Sequence, residues 1–418
     1  MNSRILQQLS QDSYTLVRRI GEAADDQGVS VYLVGGVVRD LFLKRDNLDL
    51  DFVVEGNAII FARKAAGILK APIKVYKDFG TAAVVLNDGR ALDFATARAE
   101  TYAAPGCLPQ VRRGSIHEDL FRRDFTVNAM ALGINHSRWG QLVDPFDGLK
   151  DLRAKTIRVL HQRSFDDDAT RILRAIRFEQ RFGFRIKPQT LKLLKRRLAR
   201  RTGDHVSAQR FFNEFRKILM EEKIFPALKR MKHLRAEKLL HPGFVLDLKI
   251  LKTVQSRFDA VKKKYDLSND YRWKIFLTAV LEGQADRVIA EFPRSLSLTA
   301  HDCKIFAQAN SAIDFLSRLC KNSLSPSGVY GVLKPLAPEQ CIYLLCRASR
   351  AQALRRLDRF LKKDQFVVLA IDGNDVKVLG ATGAKIGEVL KETLDRKIDT
   401  GLKSKSQEIS FVRGLLNV

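Results

Sequence analysis

The sequence predicts an α+β protein: an N-terminal α/β head with a small mixed sheet, then helices to the end of the chain. Short β-branched or apolar runs at Val31–Val34, Leu48–Val54, Ile73–Tyr76, Ala82–Leu86 and Ala91–Ala95 have strand length and turn-forming neighbours. After about residue 164 the apolar residues recur at helical spacing instead. Charge divides the chain in the same way. Residues 1–150 hold 19 Lys and Arg against 18 Asp and Glu, while the remaining 268 hold 54 against 29. Nearly all of the net charge of +26 therefore lies outside the head, which favours a polyanionic partner, nucleic acid first.

Taken in order, Ile5, Leu9, Leu16, Val17 and Ile20 have the spacing of an opening helix over Ile5–Ala24. A strand, the Gly35-Gly36 turn and a second strand follow. Ala58–Leu69 reads as a helix with Phe61, Ala65, Ala66 and Leu69 on one side. Three strands come next, the last two joined by Asn87-Asp88-Gly89. Thr96 to Gly114, with Pro105-Gly106 and Pro109, reads as a loop too long to be a simple connector. Pro145 and Gly148 mark a turn before the helical remainder.

The chemistry concentrates in two stretches. In the first, Asp49 and Asp51 stand two apart on a predicted strand and project to one face. Like charges so close raise one another's pKa unless a cation intervenes. Two Mg²⁺ ions, about 3.5–4 Å apart, would relieve the repulsion and support in-line phosphoryl transfer. Gly35 and Gly36 let backbone N–H groups approach phosphates, and Asp93 on the last strand is a natural third carboxylate. In the second stretch, Asp166-Asp167-Asp168 precedes Arg171, Arg174 and Arg177. Read as one helix capped by Ser164 or Asp166, it makes Asp168 and Arg171 neighbours and the arginines an i, i+3 ridge. Asp124, after Arg122-Arg123, reads either as a helix cap or as an acceptor for a ribose hydroxyl.

These stretches resemble the class II branch of the DNA polymerase β-like nucleotidyltransferases, which holds CCA-adding enzymes, CC- and A-adding enzymes and bacterial poly(A) polymerases. The resemblance rests on Gly35-Gly36-x-x-Arg39-Asp40 with Asp49-x-Asp51, on Arg122-Arg123-Asp124-Phe-Thr-x-Asn128-Ala, and on Asp167-Asp168-x-x-Arg171. Asp167 stands where the family usually has Glu. Val206–Ile218 resembles the family's next motif with Gln209 for its first Glu, and there Arg210 and Glu214 are expected to pair at i+4. Ile371-Asp-Gly-Asn-Asp and Gly380–Gly387 resemble its tail motif, where glycines at a helix start with Lys377 and Lys385 nearby would hold an RNA phosphate.

The resemblance implies a head at 1–136, a helical neck at 137–220, an RNA-binding body at 221–350 and a tRNA-binding tail at 351–418. It implies Asp49 and Asp51 as Mg²⁺ ligands with Asp93 beside them. Gly36 and Arg39 would meet the triphosphate, Arg123 and Asp124 the ribose, and Asp168 and Arg171 the base. Arg174 and Arg177 continue the nucleotide-binding ridge. The implied activity is template-independent addition of CCA to tRNA from CTP and ATP. The alternatives are A addition alone, a poly(A) polymerase, and an inactive RNA-binding protein. In the family a flexible loop at the position of 96–114 takes part in the final A addition, and the resemblance implies that it is present here. No apolar run approaches the ~20 residues of a membrane span, and no signal-peptide pattern opens the chain. Five cysteines without metal-ligand spacing fit a reducing cytoplasm.

Overall fold

In a computed structural model the protein is described over residues 5–45, 49–104, 106–107, 109–200 and 206–418. Leu48 of the second predicted strand and Pro105 of the predicted loop lie outside these. The chain divides into two compact units, 1–214 with 234–236, and 215–233 with 237–418.

The first unit is built on a seven-stranded mixed sheet among the described residues. Its strands are β1 (Ser30–Val34), β2 (Leu50–Glu55), β3 (Ile73–Tyr76), β4 (Thr81–Val85), β5 (Ala91–Thr96), β8 (Ala131–Gly133) and β9 (Leu142–Val143), in the order β3-β4-β5-β2-β1-β8-β9. Only the β2–β5 pair is parallel. That pairing sets Asp51 directly across from Asp93. Between them in sequence, α3 (Ala58–Leu69) covers the sheet, started by the Asn57 carboxamide accepting from the Ile59 and Ile60 N–H groups. Phe61 of α3 meets Phe94 edge-on, and Phe94 stacks on Phe52 at 5.0 Å. This apolar layer fixes β2 and β5, and with them the acids at their N-terminal ends.

Several local expectations change. The opening helix is split: a 3₁₀ turn at Leu6–Gln8 precedes α1 (Gln11–Asp26), because the Ser10 hydroxyl caps a fresh start. The stretch 96–114 is not all loop. It folds as a two-stranded antiparallel ribbon, β6 (Arg98–Thr101) against β7 (Gln110–Arg113), which apolar periodicity misses because β7 is exposed throughout. The expected helix near Phe125 is only a 3₁₀ turn, Thr126–Asn128.

The neck-like segment begins with α5 (Gly148–Arg153), whose first N–H groups are taken by the Asp144 carboxylate. A side chain on Gly148 would lie 2.3 Å from the Thr126 carbonyl oxygen, so the glycine permits this close packing. Then come α6 (Ser164–Asp167), α7 (Arg171–Phe182), α8 (Pro188–Ala199) and α9 (Ala208–Met220).

The second unit is helical among its described residues. Phe258 of Leu248–Lys264 meets Phe276 of Asp270–Leu281 at 5.2 Å. At the C-terminal end, Val376, Val389 and Val412 bring three helices around one apolar cluster. Of the two helix starts in the tail motif, that of Ala384–Thr400 follows Gly383 with no side-chain cap, whereas that of Gly373–Val378 is closed. The Asp372 carboxylate accepts from the Asn374 and Asp375 N–H groups there.

Two glycines make the packing argument testable. Gly148→Ala is expected to lower stability by about 1–3 kcal/mol through overpacking. Gly67, inside α3 with nothing within 4 Å of an added methyl, is expected to gain roughly 0.5–1 kcal/mol as alanine. Urea unfolding of both variants checks the opposite signs.

Candidate active site

The glycine turn, the acids of β2 and the arginines of α7 face one cleft of about 960 Å³. Nine of its lining residues are arginines and six are carboxylates, an excess of positive charge suited to a polyphosphate.

Gly35 sits between β1 and α2 (Gly36–Phe42) at φ 75°, a conformation that favours glycine. A side chain there would come 2.8 Å from a terminal nitrogen of Arg123 and 3.9 Å from an Asp51 oxygen. The missing side chain is what lets Arg123 and Asp51 share the floor of the cleft. Asp49 is exposed just before β2, and Asp51 is partly buried on it. Both line the cleft. Burial pushes the Asp51 carboxyl up, and the neighbouring Asp93 and Asp49 charges push it further, partly offset by Arg123. Asp93 rises through burial and the Asp49 charge. Carboxyl groups raised by neighbouring carboxylates, as Asp51 and Asp93 are, mark a place where a cation is stabilised.

The donors are hard carboxylate oxygens, which suit a divalent ion of the Mg²⁺ kind. Among the described residues no three ligand-type side chains converge on one ion. Substrate oxygens and water would complete a Mg²⁺ shell, as that ion ordinarily permits.

Arg39 departs from its expected role. It lines the cleft but is buried, clamped to Asp40 by bonds of 2.8 and 2.9 Å and donating to the Asn128 carbonyl at 2.7 Å. It also lies over the Phe182 ring at 4.5 Å. Its guanidinium orders α2 and the 126–128 turn rather than reaching out. Arg123 holds the more forward position, tethered to Asp119 at 3.0 Å, with its Nε buried and unpartnered.

Asp124 also differs from the sequence reading. One oxygen accepts from the Phe125 N–H and the Asn128 amide, the other from Nε and Nη2 of Arg174 at 2.8 and 2.6 Å. Four donors fill the carboxylate, so it has no free lone pair for a ribose hydroxyl. Burial alone would raise its pKa, but Arg174 and Asn128 more than offset this and hold it at about 2. Arg174 continues to Glu214 at 3.2 Å, and Arg177 meets the same Glu at 3.7 Å.

The helix expected through Asp168 is interrupted. Asp168 is extended, with φ −144° and ψ 101°, and its Oδ1 accepts from both the N–H and the hydroxyl of Thr170. Such local side-chain bonds compete with the helix. Asp168 and Arg171 are therefore not partners. Asp168 pairs with Arg210 at 3.0 Å. Arg171 is buried and donates to the Ser164 hydroxyl at 2.7 Å and to the Arg122 carbonyl oxygen at 2.8 Å. Ser164 is thus an acceptor for Arg171, not a helix cap. Even so, Asp168, Arg171, Arg174 and Arg177 all line the cleft that holds Asp49 and Asp51.

Sequence reasoning missed Arg98, Glu100 and Tyr102, which also line it. Their spacing of two is the strand signal that would have found them.

Comparison with known proteins fits this geometry. Residues 31–158 match the model of the Poly A polymerase head domain, and residues 183–246 match the probable RNA and SrmB-binding site of polymerase A. A solved CCA-adding enzyme in an apo form is 32% identical, with a TM-score of 0.81 over 100% of this chain and 98% of its own. This chain belongs to the tRNA nucleotidyltransferase family. That family is generally metal-dependent. Another member, the Thermotoga maritima CCA-adding enzyme solved with tRNA, is 33% identical, with a TM-score of 0.74 over 99% of this chain and 98% of that one. An A-adding tRNA nucleotidyltransferase of Geobacter sulfurreducens is 32% identical over 415 residues, 96% of this chain and 47% of that protein. The chain spans about half the length of the curated A-adding relatives it matches across most of its own length. No described helix is long and apolar enough to cross a membrane.

The buried network yields a stability prediction. Arg174→Met leaves Asp124 charged and uncompensated, and is expected to cost about 3–5 kcal/mol. The folded Asp124 pKa lies below the ordinary carboxylate value, so its contribution is full above about pH 4. It fades as the pH falls towards about 2. Urea unfolding of wild type and Asp124→Asn between pH 2 and 5 should show this slope in the wild type and a shallower one in the variant.

Proposed function

We propose that this protein adds C and A to the 3′ end of tRNA, using CTP and ATP and no nucleic-acid template. The observation that carries the reading is that Asp49 and Asp51 open onto the same arginine-lined cleft as Asp168 and Arg171. A chemical centre and a set of fixed base-edge partners thus share one chamber.

In this reading Asp49 and Asp51 hold divalent cations, with Asp93 raising the local negative potential beside them. Such ions, when bound, activate the primer 3′-hydroxyl and neutralise the departing pyrophosphate; Mg²⁺ is the ion we propose. The oxygen of the primer attacks the α-phosphorus, and the bond to the β-phosphate bridging oxygen breaks. Arg123, reaching over Gly35, meets the sugar and phosphates, while the Gly35–Gly36 backbone admits them closely. Arg39 and Asp124 act as positioning residues, through Asn128 and Arg174 respectively. Asp168 accepts from the exocyclic amine that C and A share, and Arg171 donates to a ring nitrogen or carbonyl. G and U present the opposite polarity and leave buried groups unpaired.

We further propose the division into head 1–136, neck 137–220, body 221–350 and tail 351–418, with the basic residues beyond 150 contacting tRNA in the cytoplasm. Addition of A alone is the second reading, favoured by the A-adding relative that aligns over 96% of this chain.

The test uses purified protein with tRNA ending at the discriminator base and with tRNA ending in CC. Three additions to the first substrate are expected. Activity on the CC-ending substrate alone would replace CCA synthesis by A addition, and long A tails on unrelated RNA would refute both. Asp51→Ala is expected to lower the rate at least a hundredfold, of the order seen when a principal electrostatic contributor is lost, with tRNA affinity near wild type. A rate above about a tenth of wild type, roughly 1.4 kcal/mol in barrier, would refute the metal assignment.

A further inference from the structure

We propose that Tyr102 is the stacking residue for the base of the incoming nucleotide. The inference rests on the function proposed above and adds a residue that the nucleotidyltransferase motifs do not contain.

Among the described residues two aromatic side chains line the cleft, Tyr102 and Phe178. Phe178 is already engaged, with the guanidinium groups of Arg174 and Arg177 over its ring at 5.4 and 4.6 Å. Tyr102 carries no such cation and makes no ring–ring contact among the described residues. It is half-buried just after β6, and it lines the chamber.

Its position is fixed from behind. The hydroxyl donates to Glu100 at 2.8 Å. Glu100 is held in turn by Arg98 at 2.9 Å and Arg122 at 3.2 Å. The carbonyl oxygen of that same Arg122 accepts from Arg171 at 2.8 Å. A short chain of bonds therefore links the tyrosine to the arginine assigned to the base edge. Tyr102 lines the same cleft as Asp168 and Arg171.

A carboxylate and a guanidinium read the edge of a base but give its flat face nothing. Stacking on an aromatic ring supplies that contact, and it tolerates both purines and pyrimidines because every base has a π-face. Site and chemistry thus fit a residue that grips C and A alike while Asp168 and Arg171 discriminate. Tyr102 also sits on the ribbon, so the ribbon delivers one wall of the base pocket.

The experiment measures equilibrium binding of ATP, CTP and inorganic tripolyphosphate to the full chain without tRNA. Tyr102→Leu keeps apolar bulk and removes the ring; Tyr102→Phe keeps the ring and removes the hydroxyl. Tyr102→Leu is expected to weaken ATP binding about tenfold or more, CTP less because its ring is smaller, and tripolyphosphate not at all. Tyr102→Phe should recover most of the lost ATP affinity. Equal loss for tripolyphosphate would mean that the ribbon has collapsed and would overturn the stacking role. Unchanged nucleotide binding with weakened tRNA binding would overturn it in favour of the primer. Wild-type protein that binds neither nucleotide overturns the proposed function itself, whereas wild-type binding that Tyr102→Leu leaves intact overturns this inference alone.

Discussion

The site depends on one ion pair, between a buried carboxylate and a partly exposed guanidinium. Arg174 grips Asp124 through two nitrogens and passes its remaining reach to Glu214. Asp124 belongs to the segment following α4 (Ile116–Phe121), Arg174 to α7, and Glu214 to α9. Three elements far apart in sequence are therefore referenced to a single guanidinium. A buried charge pair gives little net stability against an apolar alternative, yet breaking it is costly because a charge is stranded. The arrangement therefore specifies position more than it adds stability. Arg39 repeats the device on the other side, with Asp40 and Asn128 as its partners, and Asn128 links the two clamps by also donating to Asp124.

The acids at the head of the sheet show a different economy of design. Parallel pairing of β2 and β5 forces Asp51 and Asp93 to lie abreast, and both carboxyls are raised. Arg123 offsets only part of the repulsion at Asp51. The strands hold this unfavourable grouping because Phe52, Phe94 and Phe61 lock them beneath it. Strain of this sort persists where the surrounding core over-determines the geometry.

Much of this was legible in the sequence. Strands β1 to β5 follow from β-branched runs with turn formers between them, and α3 matches its predicted span from end to end. Asp49, Asp51, Asp168, Arg171, Arg174 and Arg177 were singled out by type and spacing, and they line one cleft. What stayed hidden depends on tertiary partners. Nothing local says that Asp124 would be saturated by four donors, or that Arg210 would turn to Asp168. The ribbon was missed because its strands are short and polar, and a solvated strand carries no apolar alternation. The break at Asp168 was missed because a helical wheel has no entry for a side chain that captures the N–H two residues on.

That break has a mechanical consequence. Had Asp168 and Arg171 shared one continuous helix, the gap between carboxylate and guanidinium would be set by the helical rise and would have a single value. Instead Arg171 is anchored on α7 by Ser164 and the Arg122 carbonyl, while Asp168 rests on a turn held by Thr170 and Arg210. The two groups are thus positioned by separate sets of partners. For the proposed addition of C and then A, a one-ring and a two-ring base would meet a spacing set by three residues of irregular backbone, not by a helix.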